Sequence, residues 1–168
     1  MDIQLIIVVE TNKECDSDWM YIYSAINYFY NVNQDIKLTP VYMNGKSNYC
    51  KRSVTHKIEY YKRSKKNAKN VVVYCFDKDN DDYENAKRND EINEYCISNG
   101  YEIIWFNKDI EDVFLGKSVN KRIKGVEAAR FVRKNEINNI KEMILNDGKV
   151  NHHRSNLLMI IDKYLKRR

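Results

Sequence analysis

Val71-Val72-Val73-Tyr74-Cys75-Phe76-Asp77-Lys78-Asp79 is a strongly apolar, β-branched run that ends in two acids two positions apart. An earlier run, Leu5-Ile6-Ile7-Val8-Val9-Glu10, ends in the same way. Near-continuous apolar runs of this length read as strands buried on both faces, the kind found in parallel sheets covered by helices. In such sheets ligands bind beyond the carboxyl ends of the strands, so Glu10, Asp77 and Asp79 are expected to converge on one edge. A set of hard carboxylate oxygens at that edge suits Mg²⁺ or Mn²⁺.

Outward from these two strands the chain alternates. Asp16-Ser17-Asp18 is an N-cap cluster, and Trp19, Ile22, Tyr23, Ile26 and Tyr30 follow at helical spacing. Ile36 to Met43 reads as a second strand, which Pro40 places at an edge. Between Tyr49 and Asn67, Val54, Ile58 and Tyr61 form the narrow apolar stripe of a mostly exposed helix. Glu84 to Ser98 is a third helix stopped by Asn99-Gly100, and Tyr101 to Phe106 is a fourth strand. The pattern predicts an α/β fold with a parallel sheet of about four strands flanked by helices. Beyond it lies a helical extension: a short helix over Asp109 to Leu115 ended by Gly116, one over Ile137 to Leu145, and a closing helix over Arg154 to Leu165 with Ser155 as its cap. Lys117 to Glu136 is basic and ambiguous. The expected organisation is one domain over 1–168, with an α/β core over 1–116 and the extension over 117–168.

The 168 residues carry 29 Lys and Arg against 24 Asp and Glu, an excess small enough that distribution matters more than the total. Basic residues gather at Lys51 to Lys69, Lys117 to Arg133 and Lys163 to Arg168, and acids at Asp77 to Asp90. A basic periphery around an acidic spot suits a polyanion held by its backbone with a metal at the centre, and equally describes ordinary solvated helix faces. On the first reading Lys62, Lys65 and Lys66, on the exposed second helix, are candidate contacts to nucleic-acid phosphates. No run approaches the roughly 18 to 20 apolar residues that span a bilayer, and the start has no basic, apolar leader pattern, so a cytoplasmic protein without membrane association is expected. Cys15, Cys50, Cys75 and Cys96 form no Cys-x-x-Cys pair, and neither a disulfide nor a zinc site is expected from them.

Several other chemistries fail on spacing. Asp77 to Asp82 invites an EF-hand reading, but the turn position is Asp82 instead of Gly and the position for the bidentate Glu is Arg88. Asp-x-Asp is also the nucleophile motif of haloacid-dehalogenase-type phosphatases, where it follows the first strand; here it follows the third. The same acids can simply cap the next helix. His56, His152 and His153 show no ligand spacing with acids or cysteines, and His152-His153 reads as a polar turn. No Walker loop, Gly-x-Gly-x-x-Gly or Gly-x-Ser-x-Gly occurs. The Tyr-rich first helix reads as packing, not as a base-stacking platform.

Glu after strand one, Asp-x-Asp after strand three and βα alternation between them resemble the Toprim fold. That fold is shared by type IA topoisomerases, bacterial primases, small ribosomal-RNA-maturing nucleases and OLD-type nucleases of phage defence. Ile103-Ile104-Trp105-Phe106-Asn107 followed by Ile110-Glu111-Asp112-Val113-Phe114-Leu115 is similar to the corresponding stretch of RloB-like Toprim proteins of defence loci. The resemblance covers residues 3–116. Two positions depart from it: Thr11 stands where Toprim chains usually have Gly, and Lys108 where RloB-like chains often have Pro.

The resemblance implies a metal-dependent nuclease acting on DNA or RNA in a phage-defence setting. Asp77 and Asp79 would hold Mg²⁺ or Mn²⁺, Glu10 would complete the site as a ligand or act as general acid/base, and Glu111 would support a second metal. Glu111 reads equally as a first-turn acid on a helix dipole, and Asn107 as a residue that orients the loop. The rival expectations are a non-catalytic Toprim-shaped module that binds nucleic acid or a companion ATPase, and a phosphoesterase for small molecules.

Overall fold

The computed structural model describes residues 2–79 and 81–168; Met1 and Asn80, the fourth position of the acidic run, lie outside the described residues. Four parallel strands, β1 (Ile3–Val9), β2 (Ile36–Tyr42), β3 (Lys69–Asp77) and β4 (Glu102–Asn107), lie in the order β2-β1-β3-β4. The register sets Ile7 beside both Pro40 and Val73, and Asp77 beside Phe106. β2 is an edge strand, consistent with the proline it carries.

Side-chain alternation explains why these runs are apolar throughout. Leu5, Ile7 and Val9 of β1, with Val71, Val73 and Cys75 of β3, enter one core, while Ile6, Val8, Val72, Tyr74 and Phe76 enter the core on the opposite face. The first core is covered by α1 (Ser17–Phe29), α4 (Ile110–Leu115), α5 (Lys124–Arg133) and α7 (Leu157–Ile161). The second is covered by α2 (Arg52–Ser64), through Val54 and Ile58, and by α3 (Tyr83–Ser98), through Ile92 and Cys96. The chain leaves β1 over the first face to reach β2, then returns over the second face to β3 on the other side of β1. The gap between the carboxyl ends of β1 and β3 is therefore the switch point of the sheet, where ligands bind in folds of this class.

Glycine decides two helix ends. Gly100 (φ 67°) turns the chain from α3 into β4, and Gly116 (φ 71°) closes α4 by donating its amide to the Asp112 carbonyl.

The C-terminal third departs from the helical reading. The ambiguous stretch contains a 3₁₀ turn (Lys121–Ile123) and α5, which buries Ala128 and Phe131 against α1. The helix expected over Ile137 to Leu145 is instead a 3₁₀ turn (Glu136–Asn139), an extended Ile140 and the four-residue α6 (Glu142–Leu145). Asn135, Asn138 and Asn139 are poor helix formers, and Asn135 takes left-handed backbone. The closing helix is shorter than the expected Arg154 to Leu165: α7 ends at Ile161, and it starts late because Arg154–Ser155 forms β5, antiparallel to β4. The Asn156 side chain then accepts from the Trp105 amide (2.9 Å) and donates to the Ile103 carbonyl (3.2 Å), and buried Ser155, although Asn156 holds the position before α7, accepts the amide of Leu157, the first residue of that helix, through its hydroxyl (3.2 Å). Satisfying the free edge of β4 outcompetes the local helical pattern. The sheet has five strands as a result, and the residues after 116 supply much of the first core.

Phe131 is fully buried, edge-on to Tyr21 (centroids 5.1 Å) and Phe114 (5.7 Å), and so joins α5 to α1 and α4. Phe131→Ala is expected to cost about 3–5 kcal/mol in urea unfolding. A loss below about 1 kcal/mol would show that α5 does not dock as described.

Candidate active site

Glu10 leaves β1 at the switch point, and its Oε1 accepts from the Asp77 amide of β3 at 2.8 Å. The two strand ends are thereby tied directly. The turn after Glu10 is made without Gly, by Asn12, whose side chain accepts from the Cys15 amide (2.8 Å) and whose carbonyl accepts from the Asp16 amide (3.0 Å). Asp16 follows with positive φ (54°) and no side-chain cap bond; its carboxylate instead takes the Tyr42 hydroxyl. The cap cluster read in the sequence thus splits, with Asp18 turned inward, buried, and accepting from the Thr11 amide at 3.3 Å.

Asp77 accepts from the Ile110 amide at 2.9 Å. The next residue, Glu111, is fully buried; its Oε2 accepts from Lys124 Nζ at 3.0 Å, and its Oε1 has no partner. Glu10, Asp18, Asp77 and Glu111 thus approach one another from β1, α1, β3 and α4. Glu10, Asp18 and Asp77 line a cleft of about 470 Å³ with Lys121 and Lys124.

Burial and mutual repulsion govern the charges. Desolvation, then Asp18, pushes Glu10 up to about 8, against the bond from the Asp77 amide. Desolvation, then Glu111, pushes Asp18 up to about 7. Asp77 is raised well above the carboxylate range by desolvation, then by Glu10 and Asp18. Glu111 is raised by desolvation and pulled back by Lys124. Perturbed carboxyl groups clustered in a cleft are candidates for a functional site.

Asp79 does not line the cleft, although its charge adds to those that raise Glu10. It is 42% exposed and lies 3.9 Å from Lys46, whose ammonium also donates to the Asp77 carbonyl (2.6 Å). The rest of the acidic run has structural work: Asp82 caps α3 by accepting from the Asn85 amide, and Asp81 pairs with Lys108 at 3.7 Å. Lys62, Lys65 and Lys66 are not part of the cleft either. α2 runs against the strands, so its last residues lie at the amino edge, where Lys69 donates to Asp2 and the Asn70 side chain to the Lys65 carbonyl. Lys62 pairs with Glu59 (2.9 Å) and lies over the Tyr101 ring. Lys46, Lys121 and Lys124 are the cations nearest the acids of the carboxyl edge, two of them lining the cleft. Lys124 carries a signal that sequence could have offered, since a cation at the first position of a helix opposes the dipole and needs an acid to hold it.

Half-buried Glu10 and Asp77 and buried Asp18 line the cleft, with buried Glu111 behind them, without closing on a point. Among the described residues, the one group of three ligand atoms mutually within 4.8 Å is Asp112, His152 and His153. His153 Nδ1 lies 2.6 Å from Asp112 Oδ2. The sequence shows no ligand spacing for these histidines and reads them as a polar turn; the turn is exposed, and it folds back 41 residues onto α4 to meet an acid that spacing could not reveal. Asn107 orients this loop, donating to the Val150 carbonyl at 2.9 Å. A larger groove of about 730 Å³, beside Trp19, Tyr23, Tyr28 and Val132, lies away from both groups. All four cysteines are free thiols, and no helix among the described residues is long and apolar enough to cross a membrane.

Comparison with family models, with curated proteins and with solved structures returns no match for this chain.

Glu10 and Asp18 hold protons in the folded protein to about 8 and about 7, while an unfolded chain releases them in the ordinary carboxylate range. The folded state therefore binds more protons between about pH 4 and pH 8, and stability falls as pH rises through that window. In buffer free of divalent ions, the urea midpoint is expected to drop across it, and Asp18→Asn to flatten the drop. A midpoint that rises with pH in the parent would contradict the buried cluster.

Proposed function

We propose that the protein is a divalent-cation-dependent nuclease that cleaves phosphodiester bonds of DNA or RNA at the β1/β3 edge. The reading rests above all on the convergence of Glu10 and Asp77 at the switch point, with Asp18 and Glu111 around the same cleft. The donors fit Mg²⁺ or Mn²⁺: all are carboxylate oxygens, three of the groups retain protons through desolvation first and neighbouring acids second, and Glu111 Oε1 is buried without a partner. Asp77 would hold the ion, with Glu111 and Asp18 as further anionic groups. The chemistry such an ion supplies is polarisation of a phosphate and stabilisation of charge on the leaving oxygen.

The chain's own residues account for the rest. Glu10, which holds a proton near neutral pH while no cation occupies the cleft, is placed to give a proton to the leaving oxygen, its carboxyl group held by the Asp77 amide. Lys121 and Lys124, at the mouth of the cleft, present positive charge to the phosphate. Asp79 and Lys46 hold the carboxyl edge on the β3 side.

One observation favours the second reading, a binding module without turnover. The Lys124 ammonium is bonded to Glu111 and its charge acts on Asp77 and Asp18, so it already offsets part of the negative charge an ion would neutralise. In a module that never loads metal, this cation would be the permanent occupant.

The two readings separate on parallel measurements of nucleic-acid affinity and Mn²⁺-dependent cleavage. As a nuclease, Asp77→Asn should abolish cleavage while leaving the fold intact, and Glu10→Gln should keep affinity and lose about 10²-fold or more in rate. Binding without cleavage of single- and double-stranded DNA and RNA by the parent would favour the module. An Asp77→Asn variant that cuts as well as the parent would remove the site assigned here.

Neutralising Lys121 should weaken nucleic-acid binding and lower its salt slope by about 0.7 to 0.9, one phosphate contact. Neutralising Lys62, Lys65 and Lys66 together should change it less, because they lie at the other edge of the sheet. The reverse order would move the nucleic-acid path to the amino edge.

A further inference from the structure

We propose that Asp112, His152 and His153 form a second cation site, distinct from the carboxylate cleft and selective for a borderline divalent ion of the Zn²⁺ type. The three ligand atoms already lie within 4.8 Å of one another. Two imidazole nitrogens and one carboxylate oxygen form a set that Zn²⁺, Co²⁺ and Ni²⁺ favour, whereas Mg²⁺ and Ca²⁺ prefer oxygen alone. Three protein ligands leave one tetrahedral position for water, the composition of open zinc centres.

The geometry is held in place before any ion arrives. Asp112 is buried, with only 7% of its side chain exposed, so its carboxylate is fixed and poorly solvated, and the group closest to it is the His153 ring. The opposite side is a loop braced from within. The Asp147 carboxylate accepts from the Lys149 amide (3.0 Å) and from the Asn151 amide (3.1 Å) and side chain (2.8 Å), and the Asp147 amide donates to Ser155 (2.9 Å). Asn107 fixes the middle of the loop through Val150. His153, at φ 61°, then turns so that both adjacent imidazoles face Asp112, their rings 3.8 Å apart. Consecutive side chains ordinarily diverge, and this backbone brings the two together on one acid. The ion would take the place of the His153–Asp112 hydrogen bond and open that 2.6 Å pair slightly, while the braced loop leaves little other ordering to impose, which favours affinity.

The site is independent of the nuclease reading. Asp112 and Glu111 are neighbours on α4, but Glu111 faces Lys124 and the cleft while Asp112 faces the histidine loop.

The test is equilibrium dialysis of tag-free, full-length protein against Zn²⁺ in the presence of excess Mg²⁺. One equivalent of Zn²⁺ is expected to bind, the His152→Ala/His153→Ala variant to lose about tenfold or more in affinity, and Asp77→Asn to bind as the parent does. Both histidines are exposed, so the double variant should fold. Co²⁺ should give a visible spectrum without a thiolate charge-transfer band, as nitrogen and oxygen ligands require. Failure of the parent to bind Zn²⁺, undiminished binding by the double variant, or loss of binding in Asp77→Asn would each overturn the proposal. Since the readout is stoichiometry and not cleavage, an inactive protein that still binds Zn²⁺ through the histidines would sink the nuclease reading and leave this one standing.

Discussion

The placing of several carboxyl groups in one poorly solvated spot, where β1 and β3 end, is the constraint to which the rest of the molecule answers. Four acids brought together out of water repel one another, and the fold offsets this only partly, through Lys124, the Asp77 amide and retained protons. Such a cluster persists because both sheet faces are fully packed around it. Residues from β1 and β3 that bear the acids are flanked by side chains with almost no exposure, and the bond from the Asp77 amide to Glu10 fixes the two strand ends relative to each other. Stability is supplied by the core and given up at the edge, the distribution common at functional sites.

α4 carries more than its six residues would imply. Its Asp109 cap, the Ile110 amide that holds Asp77, Glu111 and Asp112 are consecutive, and each serves a different purpose. Glu111 belongs to the cleft and Asp112 to the histidine loop, so a rotation of this helix would disturb both centres at once. Gly116 fixes where it ends, and Val113 and Phe114 fix its rotation by packing into the first core. The two polar assignments therefore depend on apolar neighbours one turn away.

Much of this was legible from residue patterns because it is local. The unbroken apolar runs gave β1 and β3, the acids at their ends gave the edge, and Gly100 and Gly116 marked helix ends. What escaped depends on tertiary docking. Asp18 reads as a cap residue in sequence, and only the αL turn at Asp16 directs it inward. Lys124 and Lys46 look like members of solvated faces, and their roles arise from elements that meet late in the fold. His152 and His153 meet an acid 40 and 41 residues away, a separation without any periodic signal. The placement of Lys62, Lys65 and Lys66 was open to a simpler argument: a helix between two parallel strands must run against them, so its last turn falls at the edge opposite the strands' carboxyl ends.

The Asn156 side chain, which takes up the backbone groups of Ile103 and Trp105, has an effect on encounters between molecules. A bare β4 would offer a row of unpaired amides and carbonyls to any extended chain that drifted past, and two-residue β5 alone is too short to cover it. With Asn156 in place that flank is shut, and at the other flank Pro40 in β2 denies one amide to a would-be neighbour. Recruitment of a peptide by strand addition is accordingly disfavoured on both sides of the sheet. Partners are left with the rims and the helical surfaces, and growth of the sheet from one molecule into the next is discouraged by the same two residues.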